Sequence, residues 1–427
     1  MLGIFLGLVI LMFLAYKGWS IIWMAPIAAG VVALFGGLDL LEAYTGPYME
    51  GFVGFAKTWF PVFMLGAIFG KLMEYTGMAR SVAIGITRVI GPKQAILGVL
   101  IATGILTYGG VSVFVAIFAV YPLALSLFRE ANISRKLIPP TFALGAFTFT
   151  MTAIPGVPQI QNLIPMEYFN TPATAAPIMG LSSAVVMAGG GFAYLKWREK
   201  KMVAVGEVYI PPKDEVKAES DDRDPNIIIS VLPLIAVVVT LNIFGWDIII
   251  ALLSGIILIL LFSVTKFRGF ISAMNSGAQG SVTAIINTCA AVGFGTVVQA
   301  VPGFDKLSSM ILGMQGNPLI SLSVATNVLA GATGSASGGL GITLEALGGK
   351  YLELSQSVGI DPEAFHRIAS ISSGGLDALP HNGAVLTLLA VTGMTHKDCY
   401  KDIAVVAIAI PLLSLVPAII LASIGIY

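Results

Sequence analysis

Apolar segments dominate this chain and constrain what it can fold into. About a dozen of them follow one another, separated by short polar connections. A helix that crosses a bilayer needs roughly 20 apolar residues. The sequence therefore predicts an all-α integral membrane protein, with apolar segments at about 2–16, 20–37, 59–76, 94–128, 136–170, 173–195, 227–244, 247–264, 281–300, 317–350, 364–393 and 402–425.

Composition agrees with this prediction and excludes several function classes. The 427 residues are 56% hydrophobic and 11% charged, whereas a soluble domain carries about 25% charged residues. The net charge is zero, so nothing indicates a nucleic-acid partner. Cys289 and Cys399 are too far apart to form a disulfide framework or a zinc motif, and no HExxH occurs. We expect no enzyme activity, cofactor or metal.

Two apolar segments, 94–128 and 317–350, are too long for one span, and each is interrupted in its middle. The interruptions are TYGGVS (107–112) and ATGSASGG (332–339). Irregular backbone at membrane depth is tolerated only where it is buried in protein or lines a cavity. We therefore predict two re-entrant hairpins with these glycine-rich stretches at their tips.

The distribution of basic residues predicts the orientation. If the first segment, taken as a retained helix, begins outside, both termini lie outside and the charged stretch 196–226 is a cytoplasmic linker. His366 and His396 then fall near opposite surfaces, where we expect them to be solvated, and Lys71 and Glu74 form a local ion pair. On this basis the cytoplasmic residues are Lys17, Arg80, Arg88, Lys93, Arg129, Arg135, Lys136, Lys266, Arg268, Lys397 and Lys401, and the outside ones are Lys57, Lys306, Lys350 and Arg367.

The two halves of the chain resemble each other at an offset of about 225 residues. Three segments, 69–82, 91–110 and 133–156, parallel 295–308, 316–335 and 360–383, and the interruptions come into register. Five spans and one hairpin in each half would place the second half upside down. We predict two inverted repeats, residues 1–195 and 227–427, with a binding site between them near the bilayer midplane.

Each half also carries a broken spanning helix, at 152–162 (TAIPGVPQIQN) and at 374–383. Breaks expose backbone N–H groups with partial positive charge, and no lysine or arginine lies in any of the four interruptions. Helix N-termini and hydroxyls would thus hold a carboxylate. The predicted substrate-binding residues are Tyr108, Gly109, Gly110, Ser112, Gln159, Asn162, Thr333, Gly334, Ser335, Ser337, Gly338, His381, Asn382 and Gly383.

Asp377 and His381 are the candidates for carrying a coupling proton. Ionisable residues inside a membrane are costly and indicate function by default, and histidine titrates near neutrality. The structural alternatives are a hydrogen bond from His381 to a freed carbonyl and a helix cap formed by Asp377.

The stretches GATGSASGGLGITLEALG (331–348) and SSGGLDALPHNGAVLTLLAVTGMTH (372–396) resemble the gluconate permease family of the ion transporter superfamily, and the resemblance covers almost the whole chain. The form LDALPHNGAV (376–385) is similar to the branch of D-3-hydroxybutyrate permeases. The resemblance implies an inner-membrane homodimer, an elevator-type motion of the hairpin-bearing part, and proton symport of small hydroxy-monocarboxylates.

The sequence hypothesis is thus a proton-coupled symporter of a small hydroxycarboxylate such as D-3-hydroxybutyrate or gluconate. Two alternatives stay open. Backbone carbonyls at the breaks could ligate Na⁺, which would give a sodium-coupled carrier of citrate or another carboxylate. A passive anion channel would use the same pocket without accumulating solute.

Overall fold

A computed structural model describes residues 1–212, 225–312, 317–380 and 382–427. These residues contain helices and no β-strand, as predicted. The first half comprises α1 (Leu2–Tyr16), α2 (Ile21–Gly36), α3 (Leu40–Ala43), α4 (Met49–Tyr75), α5 (Met78–Ile90), α6 (Ala95–Tyr108), α7 (Val113–Glu130), α8 (Ile138–Ala146), α9 (Phe149–Thr152), α10 (Ile160–Phe169) and α11 (Pro177–Ala204).

The second half contains the same succession of long helices, hairpin arms and a broken helix. Its helices are α12 (Ile227–Asn242), α13 (Ile248–Phe262), α14 (Phe270–Ala300), α15 (Gly303–Leu312), α16 (Pro318–Thr333), α17 (Ala336–Val358), α18 (Pro362–Ser373), α19 (Gly383–Thr392), α20 (His396–Ala404) and α21 (Ile410–Ser423). Among the described residues, five helices are long and apolar enough to cross a membrane: Leu40–Tyr75, Val113–Glu130, Pro177–Ala204, Val264–Ala300 and His396–Ser423.

The helices α4 and α14 pack against each other along their length at the centre of the molecule. Small residues allow this close approach: a Cβ on Gly277 would lie 2.7 Å from the Cα of Ile68, and one on Gly293 would lie 2.7 Å from the carbonyl oxygen of Tyr48. Around this pair, α2 packs on α14 and α13 packs on α4. The packing of α2 on α14 therefore corresponds to the packing of α13 on α4.

Two helical hairpins flank the central pair. In the first, α6 packs on α7, and residues 109–112 form the turn between them. In the second, α16 packs on α17, and the turn is formed by Gly334, with a φ of +61°, and Ser335. Both turns fall inside the interruptions that the sequence indicates, because glycine there adopts backbone angles that other residues avoid.

The broken helices lie next to the hairpins. The first consists of α8, α9 and α10, and its unwound residues 153–159 are called break 1 below; the second consists of α18 and α19, and residues 374–382 are called break 2. Helix α8 packs on α6 in the first half, and α18 packs on α16 in the second. Each hairpin is thereby joined to the broken helix of its own half.

Candidate functional site

A central cavity of about 550 Å³ lies beside the α4–α14 pair. Its walls include residues 62–74 of α4 and 276–284 of α14, together with the first hairpin and the start of α10. Four of the predicted substrate-binding residues line it: Gly110, Ser112, Gln159 and Ser337. The cavity thus brings together the tip of the first hairpin, break 1 and the tip of the second hairpin.

Each hairpin tip begins its second helix with a serine cap. The hydroxyl of Ser112 accepts a hydrogen bond from the backbone N–H of Val115 at 3.4 Å, and that of Ser335 accepts one from Gly338 at 3.1 Å. Such caps satisfy donors that a helix start would otherwise leave open. Ser112 and Ser335 therefore cap helices, and Ser112 also lines the cavity. Ser337 lines the cavity as well, and its hydroxyl lies 3.2 Å from that of Thr288.

An amide side chain ties each break to the hairpin tip of its own half. The Nε2 of Gln159 donates to the carbonyl oxygen of Thr107 at 2.7 Å, and the Nδ2 of Asn382 donates to that of Gly334 at 2.9 Å. Both amides stand one residue before the helix that resumes after the break. The bond from Asn382 satisfies a carbonyl that its tip would otherwise leave unpaired, whereas the Thr107 carbonyl also accepts from the backbone N–H of Gly110 at 3.1 Å.

The other predicted residues have different surroundings. Tyr108 and Gly109 lie on the far side of the first tip, where they line an apolar crevice with Leu234. The hydroxyl of Thr333 bonds to the carbonyl of Leu329 at 2.9 Å, and Gly338 lies in the first turn of α17. Gly383 is the first residue of α19.

Of the two candidates for proton coupling, the structure describes one. Asp377 lies in break 2, and only 5% of its surface is exposed. His381 lies outside the described residues. A carboxyl group that is buried in this way within an apolar segment is unusual, because an uncompensated charge there is costly.

The surroundings of His366 correct the sequence analysis. We expected His366 to be solvated, but its side chain is fully buried, and so is that of the neighbouring Arg367. The Nη1 of Arg367 donates to the Oδ1 of Asn162 at 2.9 Å, and its Nη2 donates to the carbonyl of Ala175 at 2.6 Å. His396, also expected to be solvated, is half-buried and its Nε2 lies 2.9 Å from the carbonyl oxygen of Pro380.

The physical reason is that α18 packs against α10, so its polar residues find partners in the other half of the chain. Asn162, predicted to bind substrate, is fully buried in this network, where its Nδ2 donates to the carbonyls of Val157 and Ala173. A signal was present in the sequence: Arg367 falls inside the apolar segment 364–393. A charged residue in such a segment indicates a buried, partnered position.

Sequence reasoning also missed Gln161, which lies in the same interruption as Gln159. Its side chain lines the central cavity, and 8% of its surface is exposed. Its Oε1 is buried and has no hydrogen-bond partner. Two glutamines at alternate positions of an otherwise apolar stretch, PQIQN, were the available signal.

Charged groups occur at one part of the central cavity wall. Lys71 and Glu74 line it near the end of α4, and their side chains form the predicted ion pair at 2.8 Å. Both side chains are about one third exposed, so the pair contributes little to stability. Lys71 is the one basic residue among the described residues that line this cavity.

A second cavity, of about 460 Å³, lies at the opposite ends of α4 and α14. Its polar lining includes Glu50, Thr296, Gln299 and Glu345. The hydroxyl of Tyr168 donates to the Oε2 of Glu345 at 2.6 Å. Within the described part of the chain, no group of three or more histidine, cysteine or acidic side chains is arranged to hold a metal ion.

Interrupted apolar helices surround a largely apolar cavity that carries a few polar groups, and the family and relatives of the chain identify it as a secondary transporter. The profile of the GntP family permeases matches residues 1–244. The chain belongs to the GntP permease family, which confirms the resemblance to the gluconate permeases.

Similar proteins include transporters from bacteria. The chain is 45% identical to the uncharacterized transporter YxjC of Bacillus subtilis (strain 168), over 94% of both chains. It is 26% identical to an uncharacterized transporter of Haemophilus influenzae, over 74% of this chain and 73% of that one. The YdaH transporter of Alcanivorax borkumensis has a similar fold, with a TM-score of 0.58 at 14% identity, over 90% of this chain and 88% of that one.

Proposed function

We propose that this protein is a proton-coupled symporter of a small hydroxycarboxylate such as D-3-hydroxybutyrate or gluconate. The observation that carries the proposal is the central cavity, where both hairpin tips and the start of α10 line one space of about 550 Å³. Four of its lining residues were predicted to bind substrate from the sequence alone: Gly110, Ser112, Gln159 and Ser337. A volume in this range accommodates a small ligand.

The chemistry of the lining favours a carboxylate with hydroxyl groups. Hydroxyl and amide side chains of Ser112, Gln159 and Ser337 can bond to such a solute, and a helix N-terminus attracts its negative charge. Lys71 would attract anions toward the site without holding them there, because its ammonium group already pairs with Glu74. A transporter with such a site can bind its substrate and still release it.

The symmetry of the packing supports a pair of inverted repeats. The contacts of α2 with α14 match those of α13 with α4, and each hairpin tip is tied to its break by an amide. The two cavities at opposite ends of the α4–α14 pair would be the routes to the two sides of the membrane. An elevator-type movement of the hairpins and broken helices would expose the site alternately.

The proposal also includes the hypotheses from the sequence about the coupling residues, the oligomeric state and the orientation in the membrane. Asp377 or His381 in break 2 carries the coupling proton, and the burial of Asp377 supports such a role. The protein works as a homodimer in the inner membrane, with both termini outside and the linker 196–226 in the cytoplasm. Among the predicted substrate-binding residues, Gly110, Ser112, Gln159 and Ser337 line the site that the hairpins and break 1 form together.

Uptake into proteoliposomes tests the proposal. An imposed proton gradient, acidic outside, should accumulate labelled D-3-hydroxybutyrate or gluconate above its equilibrium level. A sodium gradient at equal pH should not do so, and accumulation under that gradient would favour the sodium-coupled carrier. Rapid equilibration without accumulation under either gradient would favour a channel.

The coupling residues are tested in the same preparation. The Asp377→Asn and His381→Ala variants should each be compared with the wild type for accumulation and for exchange of internal against external substrate. Loss of accumulation with exchange retained identifies the proton carrier. If both variants accumulate substrate at the wild-type rate, neither residue carries the proton.

A further inference from the structure

One face of α14 is polar, although this helix is long and apolar enough to cross a membrane. Asn275, Gln279 and Thr283 stand at every fourth position, and all three residues are exposed. They are called the polar row below. Residues four positions apart lie on the same face of a helix, one turn above another. The polar row is therefore a continuous strip of amide and hydroxyl groups along α14.

The polar row extends to membrane depth. Helix α14 begins just after Lys266 and Arg268, which the sequence predicts to be cytoplasmic. At about 1.5 Å per residue, Asn275 lies about 10 Å and Thr283 about 22 Å along the helix from Arg268. The hydrocarbon core of a bilayer is about 30 Å thick. Lipid tails offer no hydrogen-bond partner, so amides and hydroxyls at this depth need water or protein beside them.

The neighbours of the polar row on α14 indicate what it faces. On one side of the row, Ser276, Gly280 and Ala284 line the central cavity. On its other side, Ile271 and Val282 are exposed apolar residues, as a lipid-facing surface requires. Around the helix, the surface thus changes from apolar through polar to cavity wall. The polar row forms the rim of the central cavity.

This rim is open. A Cβ on Gly280 of α14, or on Gly66 of α4, would have no atom of a neighbouring described residue within 4 Å, although both glycines line the cavity. Ser276, between Asn275 and the cavity, is exposed as well. The central cavity therefore continues outward along the polar row.

Corresponding faces of the two central helices line the two cavities. The residues that line them are Glu50, Gly51, Gly54 and Phe55 of α4 in the second cavity and, about 225 residues later in the chain, Ser276, Gly277, Gly280 and Ser281 of α14 in the central cavity. Because the two cavities lie toward opposite ends of the α4–α14 pair, equivalent helix faces lead in opposite directions, as two access routes require.

We propose that the polar row is the wall of an aqueous passage that connects the cytoplasmic surface with the central cavity and through which the substrate leaves. Water in the passage pairs with the amides and the hydroxyl of the row. The row carries no charge, so a carboxylate passes it without being held. This inference rests on the proposed function, because it assigns the route that the substrate takes from its site.

Cysteine accessibility tests the passage. Gln279→Cys and Thr283→Cys place a thiol on the polar row, in a chain whose own Cys289 and Cys399 are buried. A charged, membrane-impermeant thiosulfonate should label both variants in inside-out membrane vesicles and neither in right-side-out vesicles. Val282→Cys is the matched control, because Val282 is exposed on the apolar side of the same helix turn. Its labelling should be slower by about 10-fold or more, because apolar surroundings disfavour the reactive thiolate.

Three results would contradict the passage. Equal labelling rates for Val282→Cys and Thr283→Cys would show that the polar row is no more hydrated than the apolar side of α14. Labelling of the row in right-side-out vesicles alone would place the route on the other side of the membrane. A disulfide between two copies of the Gln279→Cys chain, without labelling, would show that a second subunit covers the row.

Protection by substrate separates the passage from the proposed function. Saturating 3-hydroxybutyrate or gluconate should slow the labelling of Thr283→Cys, because the bound solute occupies the cavity that the row borders. Labelling from the cytoplasmic side that neither acid slows, in a protein that takes up neither acid, supports the passage and refutes the proposed substrate class. If the wild type accumulates these acids and the row is not labelled, the passage is wrong and the function stands.

Discussion

The two breaks are built alike and stabilised differently. In both, an amide before the resuming helix donates to the hairpin tip, from Gln159 to Thr107 and from Asn382 to Gly334. Asn382 also caps its own helix, since its Oδ1 accepts from the backbone N–H of Val385 at 2.8 Å. The longer Gln159 does not. The helix after break 2 thus starts with a side-chain cap, whereas the helix after break 1 starts without one.

The anchoring of the breaks differs as well. Break 1 is followed by α10 and the loop 170–176. Arg367 of the other half donates hydrogen bonds to the carbonyl oxygen of Ala175 in this loop. Break 2 is held within its own half, where His396 contacts the carbonyl of Pro380 and Tyr400 donates to that of Ala378. This difference indicates that break 1 is tied to the broken helix of the other half, whereas break 2 depends on contacts within its own half.

The largest expected effect is that of removing the buried guanidinium. Arg367→Met leaves the carbonyl of Ala175 without a donor and removes the bonds to the carbonyl of Ala173 and the Oδ1 of Asn162, which keep other partners. One unpaired buried acceptor and two lost bonds to a charged group, partly offset by the removal of a buried charge, give an expected loss of about 3–5 kcal/mol. Thermal unfolding of the purified protein measures it.

The control for this substitution is Arg88→Met, because Arg88 is exposed on α5. A change within about 0.5 kcal/mol is expected there. Equal melting temperatures for the Arg367→Met and Arg88→Met variants would contradict the role given to the buried arginine.

The next effect concerns the double function of Asn382. Asn382→Ala removes the cap of α19 and the donor to Gly334 together. The two losses add to about 2–4 kcal/mol. Asn226→Ala is the matched control, since Asn226 is an exposed cap of α12 without a tie to a hairpin; it should cost about 1 kcal/mol. Similar melting temperatures for the two variants would show that the tie to the tip adds nothing.

A smaller loss is expected at break 1. Gln159→Ala removes one of two donors to the Thr107 carbonyl, which keeps the backbone N–H of Gly110, and it removes no helix cap. Stability should therefore fall by about 1–1.5 kcal/mol, which is less than for Asn382→Ala. Gln94→Ala serves as the control, because Gln94 precedes α6 on the surface without a capping bond. Thermal unfolding of the variants side by side ranks them, and a larger loss for Gln159→Ala than for Asn382→Ala would invert the comparison.

Much of this arrangement could be predicted from the sequence, and the missing part has a physical cause. Glycines and prolines inside apolar segments locate the turns and the breaks, because few other residues permit such backbone. The partners of Gln159 and Arg367 depend on which helices meet in three dimensions, and local sequence does not specify this. For the same reason the sequence analysis, which predicted Ser112 and Ser335 as substrate-binding residues, did not show that their side-chain oxygens cap helices.

The smallest effect tests the local anchoring of break 2. His396→Phe keeps the ring near Tyr400 but removes the nitrogen that faces the Pro380 carbonyl. His396 is half-buried, so water can replace part of the bond, and we expect a loss of about 1 kcal/mol. His396→Gln can donate to the same carbonyl and should restore most of the melting temperature. If Gln rescues nothing, ring packing rather than the hydrogen bond holds His396 in place, and break 2 is then anchored less specifically than break 1.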